Sequence, residues 1–181
     1  MKTLLVPIDF SENSLRALDY ALDLAARSHA EVVVLHSAEK ATILPGLDSG
    51  KTEESKRMAQ QQLDTILANV NPNVPVRYEI REGGAVGEIT KAIEEFGVTL
   101  VVMGTGGAKN FTKKVFGTTT EAVAKRGLCP VLAIPEGAAI RPIEHIVYAA
   151  DFENGDQVTT MQLLNLKELL NASITFLHIK S

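Results

Sequence analysis

Leu4-Leu5-Val6-Pro7-Ile8-Asp9-Phe10-Ser11 is an apolar run that stops at a carboxylate and a helix-capping serine. That pattern predicts a fully buried strand running straight into a helix. The helix carries Leu15, Leu18, Leu22 and Ala25 on one stripe. Val32-Val33-Val34-Leu35 is a second apolar strand, and the polar stretch 38–55 reads as a long loop. A helix from about Lys56 to Val70 comes next. Val74, Val76, Tyr78 and Ile80 then alternate with polar residues, the pattern of a strand with one buried face. A helix with Val86, Ile89, Ile93 and Phe96 stops at Gly97, a natural left-handed cap. Leu100-Val101-Val102-Met103 is again apolar throughout. A glycine-studded loop leads to a short helix near Thr119–Arg126, capped by Gly127, and Val131–Ile134 closes the series.

Strands alternating with helices predict an open five-stranded parallel sheet with helices on both faces. The alternating third strand belongs at an edge and the apolar ones in the middle. Right-handed crossovers then favour the order 3-2-1-4-5, with the winding reversing between strands one and four. Ligands of such sheets bind beyond the carboxyl ends of the strands at that reversal. Asp9 closes strand one and Gly104 closes strand four, so both fall on one crevice.

The sequence also matches itself at a shift of 142. Asp9-Phe10 falls on Asp151-Phe152, Ala30 on Ala172, and Leu35-His36 on Leu177-His178. The expected organisation is one complete domain over 1–137, then the first strand-helix-strand of a truncated second copy over 143–181.

Composition narrows the function. Hydrophobic residues make up 45% and charged residues 22%, values of an ordinary globular chain. Eighteen Lys and Arg stand against 22 Asp and Glu, a net charge of −4 with no basic stripe, which argues against nucleic acid as a partner. No apolar run is long enough for a membrane span and no signal peptide opens the chain, so the expected location is the cytoplasm. Cys129 is the only cysteine and reads as a buried small apolar side chain.

The loop Gly104-Thr105-Gly106-Gly107-Ala108-Lys109-Asn110-Phe111-Thr112-Lys113-Lys114-Val115-Phe116-Gly117-Thr118-Thr119 has the spacing G-x-x-G, nine residues, then G-T. Glycines after a strand let the backbone approach a phosphate chain and offer it N–H groups, and a helix start adds further donors. A flexible turn with a capping threonine explains the same residues without a ligand. Neither a Walker A loop nor a dinucleotide G-x-G-x-x-G after strand one is present. Asp9 could likewise be a simple helix cap, and His36 reads as a packing or internally hydrogen-bonded side chain. Gly83-Gly84-x-x-Gly87 follows the edge strand and reads as a plain turn away from the reversal point. Lys109, Lys113 and Lys114 read as solvated.

Val6-Pro7-Ile8-Asp9, the G-2x-G-9x-G-S/T spacing and Cys129-Pro130-Val131-Leu132 together resemble the universal stress protein family over Met1–Pro135, with 143–181 similar to the start of a second such domain, as in tandem members. The glycine spacing is similar to that of the members that bind ATP. The resemblance implies an adenine-nucleotide site, ATP with magnesium where the nucleotide brings it. Pro7, Ile8, Asp9 and Ser37 would frame base and ribose, Met103 and Gly104 would line the ribose side, and Gly107, Gly117, Thr118 and Thr119 would hold phosphates. Gly106 departs from the pattern, since many members carry a larger residue there. The resemblance also implies a homodimer, and the apolar fifth strand at a sheet edge invites such pairing. No constellation in the sequence supports fast chemistry, so the expectation is a binding protein of the stress response with slow ATP hydrolysis at most. A dimerising interaction module that works without nucleotide is the alternative.

Overall fold

A computed structural model of the chain describes residues 2–38, 49–105, 118–149 and 157–178. These fall into two units, Met1–Ala138 and Ala139–Ser181.

The first unit holds β1 (Thr3–Ile8), α1 (Glu12–Ser28), β2 (Glu31–Ala38), α2 (Ser49–Leu67), β3 (Val76–Glu82), α3 (Ala85–Phe96), β4 (Leu100–Gly104), α4 (Thr118–Ala124) and β5 (Val131–Ile134). The strands form one parallel sheet in the order β3-β2-β1-β4-β5, as the alternation and crossover rules require. Leu4, Leu5, Val6, Val32, Val33, Val34, Leu100, Val101 and Val102 have no exposed surface, because a central parallel strand is covered on both faces. Each such side chain stabilises the fold by about 1.5–3 kcal/mol relative to exposure. On one face Leu5, Val33, Leu35, Val101 and Met103 pack with Ile89 and Ile93 of α3 and Val123 of α4.

Three sequence expectations shift. α2 starts at Ser49 and ends at Leu67, so the expected loop over 38–55 is helical in its last part and the helix stops before Val70. Residues 49–55 are polar and carry no apolar periodicity, which shows only from Met58 on. The short helix α4 spans Thr118–Ala124, so it stops two residues before the expected end at Arg126, and Gly127 at φ 65° lies three residues past its last residue. In α1 the buried residues are Ser14, Ala17, Leu18, Tyr20, Ala21, Leu24 and Ala25, while Leu15 and Leu22 are only partly buried.

The second unit consists of β6 (His145–Ala149), α5 (Gln157–Leu170) and β7 (Ser173–Leu177), with β6 and β7 paired in parallel. Among the described residues no helix is long and apolar enough to cross a membrane.

Candidate functional site

β1 ends on Ile8, and the chain then turns sharply. Phe10 takes a left-handed φ of 63°, unusual for a bulky side chain, and its ring lies 4.7 Å from that of His36. His36 Nδ1 is 3.0 Å from the carbonyl oxygen of Ile8, across the β1–β2 pair. The internal hydrogen bond read from the sequence is therefore this one. Ser11 caps α1, its hydroxyl accepting from the Ser14 amide at 3.3 Å.

The Asp9 carboxylate does not cap the helix. It accepts the Ser11 amide at 3.0 Å and the Ser11 hydroxyl at 2.5 Å through one oxygen, Oδ1. Partial burial pushes its pKa up. The hydrogen bonds from Ser11, with smaller ones from the Ser14 side chain and its own backbone, outweigh that and hold the carboxyl below 3.8. Asp9 is thus an exposed carboxylate that stays ionised at neutral pH.

Opposite, β4 ends on Gly104. A Cβ there would stand 2.3 Å from the carbonyl oxygen of Asn13. Glycine is required because the backbone of α1's first turn passes against the strand end. The Thr120 hydroxyl donates to the Gly104 carbonyl at 3.3 Å and ties α4 to that point. The Ser37 hydroxyl donates to the Gly83 carbonyl at 2.6 Å, fixing the end of β2 to the turn after β3.

These elements enclose a cavity of about 260 Å³ at the reversal point between β1 and β4. Of the residues singled out from the sequence, Pro7, Ile8, Asp9, Ser37, Met103, Gly104, Thr118 and Thr119 line it. Gly107 and Gly117 lie outside the described residues. Sequence reasoning missed Leu35, Ala85 and Ile89, which supply an apolar wall, and Asn13, Ser14 and Thr120, which add polar groups. Gly83, Gly84 and Gly87 are not among the lining residues, but Ala85 between them and Ile89 are, because α3 crosses back over the sheet and brings its first turns to the cavity. The signal lay in the crossover itself. Asp9 is the one charged side chain among the described lining residues.

Cys129 is partly buried. Desolvation pushes its thiol up to about 11, against a small opposing hydrogen bond from Val101. It packs against the core as an apolar side chain.

The family model of the universal stress proteins matches residues 1–135. The chain belongs to this family. Universal stress protein MJ0577 of Methanocaldococcus jannaschii is 27% identical over 152 residues, which cover 74% of this chain and 94% of that one. Its solved structure matches with a TM-score of 0.66 at 26% identity, over 76% of this chain and 98% of its own. Two further universal stress protein structures share the fold alone. One, from Arabidopsis thaliana with AMP bound, is 17% identical over 76% of this chain and 94% of its own, at a TM-score of 0.53. The other, from Archaeoglobus fulgidus, is 20% identical at a TM-score of 0.70, and the match covers 99% of this chain and 67% of that one.

Proposed function

We propose that the cavity binds an adenine nucleotide, with ATP as the preferred ligand, and that the protein acts in the stress response. The observation that carries this reading is the mixed lining of the cavity at the reversal point. Leu35, Ala85, Ile89 and Met103 supply apolar groups fit for a purine, while Asp9 stands at the strand end where a ribose hydroxyl can donate to it. Gly104, Thr118 and Thr119 supply backbone and hydroxyls fit for phosphate oxygens. The AMP-bound Arabidopsis relative supports adenine as the base. The G-x-x-G-9x-G-T spacing supports a ligand with a longer phosphate chain, which Gly107 and Gly117 would cradle with backbone N–H groups.

Magnesium would come with the nucleotide. Asp9 is the one carboxylate lining the described cavity, and no group of three or more metal-binding side chains occurs among the described residues. The phosphates themselves would supply most of its ligands.

We infer binding rather than turnover. The only side chain in the described lining able to accept a proton from water is Asp9, and its lowered pKa makes it a poor base at neutral pH. The protein is further proposed to dimerise along β5, where Val131, Leu132 and Ala133 are only partly buried at the sheet edge.

Acid denaturation of the purified protein, with chromatography of the supernatant, tests the reading directly. Calorimetric titration with ATP, AMP and inorganic triphosphate completes it. Co-purifying adenine nucleotide, or saturable binding of ATP that is lost in Gly107→Val and Gly117→Val, is the expected result. An empty protein that binds none of the three ligands would refute it. A nucleotide-free protein that still dimerises would favour the interaction module.

A further inference from the structure

Phe10 occupies a backbone position that would suit a glycine. Its φ of 63° is left-handed, a region that glycine enters freely and a bulky side chain keeps only when its surroundings hold it there. The holding contact is His36, whose ring centroid lies 4.7 Å from that of Phe10 with the planes tilted by 45°. That separation is typical of a favourable aromatic pair. His36 is fixed in its turn. It is the register partner of Ile8 across β1 and β2, and its Nδ1 lies 3.0 Å from the Ile8 carbonyl oxygen. A carbonyl only accepts, so Nδ1 carries a proton.

The left-handed residue stands between the two ends of a hydrogen-bonded turn. Asp9 Oδ1 accepts the Ser11 amide at 3.0 Å and the Ser11 hydroxyl at 2.5 Å, and the Asp9 amide donates to the Ser14 hydroxyl at 3.4 Å. The course of the chain through Phe10 therefore sets where the Asp9 carboxylate lies on the cavity wall. Glycine would reach the same φ without strain, yet it would be as free to leave it. A stacked ring is not.

The internal repeat keeps these side chains as a set. Between 1–39 and 143–181 the identical aliphatic residues are Leu22, Leu24, Ala30 and Leu35, which burial explains. The other identities are Asp9, Phe10 and His36, matched in sequence by Asp151, Phe152 and His178. Their neighbours Ile8, Ser11 and Ser37 change to Ala150, Glu153 and Ile179. A plain helix cap would have kept the serine, and a plain packing pair would not have needed the aspartate.

We propose that Phe10 and His36 are positioning residues for Asp9: their stacked rings lock the left-handed turn that places its carboxylate at the cavity. Neither ring is among the described residues that line the cavity, so both act through Asp9. Their effect on binding rests on the nucleotide reading of that cavity, in which Asp9 meets a ribose hydroxyl.

The test uses the full 181-residue protein. Phe10→Gly removes one ring and suits the local φ, and His36→Leu removes the other while keeping apolar bulk. Carbon-13 NMR titration of the Asp9 carboxyl without nucleotide follows the turn directly. The Ser11 hydrogen bonds hold that carboxyl below 3.8, and each variant should raise it as those bonds loosen. The double variant should raise it no further than either single one, because all three lose the same stack. Calorimetry should show ATP affinity reduced roughly fivefold or more, with inorganic triphosphate binding unchanged. Titration of Asp9 unchanged in both single variants would overturn the proposal, even if their melting temperatures fell, since the rings would then be packing alone. So would shifts that add in the double variant, or ATP affinity retained in both singles. A wild-type protein that binds no ATP would overturn the nucleotide reading, and the Asp9 titration would still decide what holds the turn.

Discussion

Replacing Gly104 by alanine tests the close approach that shapes one side of the cavity. The added Cβ would meet the Asn13 carbonyl oxygen at 2.3 Å and its carbonyl carbon at 2.5 Å. Non-bonded carbons sit best at about 3.5 Å, so β4 and the first turn of α1 must part by roughly 1 Å. Both partners are backbone, and neither can swing aside as a side-chain tip would. Overpacking of this kind costs about 1–3 kcal/mol. For a unit of this size that lowers the melting temperature by about 4–12 °C. The φ of Gly104 is not left-handed, so alanine suits the local backbone. With open space around it, the substitution would stabilise the protein by about 0.4–1 kcal/mol through the unfolded chain. The two mechanisms thus predict opposite signs. Thermal unfolding followed by circular dichroism decides between them, with Gly87→Ala as control, since a Cβ at that helical position meets nothing within 4 Å. Gly87→Ala should raise stability by about 0.5–1 kcal/mol. Because Asn13 and Gly104 both line the cavity, Gly104→Ala should also weaken ATP binding by roughly fivefold or more, about 1 kcal/mol. A melting temperature unchanged or raised in Gly104→Ala would refute the reasoning.

Ser11→Ala removes the cap of α1 and should cost about 0.5–2 kcal/mol in urea unfolding. Asp9 has its carboxyl held below 3.8 in the folded protein, so its ionised form adds stability above the unfolded pKa, and that increment is lost as pH falls through the lowered folded value. Urea unfolding at stepped pH should therefore show wild type losing its advantage over Asp9→Ala below about pH 4, and a constant difference down to pH 2 would count against the Ser11 hydrogen bonds as the cause. Cys129, with its thiol pushed up to about 11, should react with a disulfide reagent at pH 8 at least tenfold more slowly than in urea-unfolded protein, and equal rates would show the thiol to be accessible.

The sheet order, the reversal point and the Ser11 and Gly97 signals were legible in the sequence because each depends on residues close in the chain. Burial on two faces leaves an unbroken apolar run, a helix start needs a hydroxyl, and a left-handed cap favours glycine. From these, the handedness of crossovers brings Asp9 and Gly104 to one crevice before any coordinates are seen. Contacts between segments far apart in the chain were decided only by the fold. Gly104 reads in sequence as one glycine of a phosphate-type loop, yet the described structure requires it for the passage of Asn13. The Ala85–Ile89 wall depends on α3 crossing back over the sheet, and nothing in its own periodicity shows which cavity its first turns meet. Asp9 and Ser11 read as alternative caps, and the structure uses both, one for the helix and one for the other's hydroxyl and amide. Periodicity reports which face of an element is buried, and close packing alone decides against what.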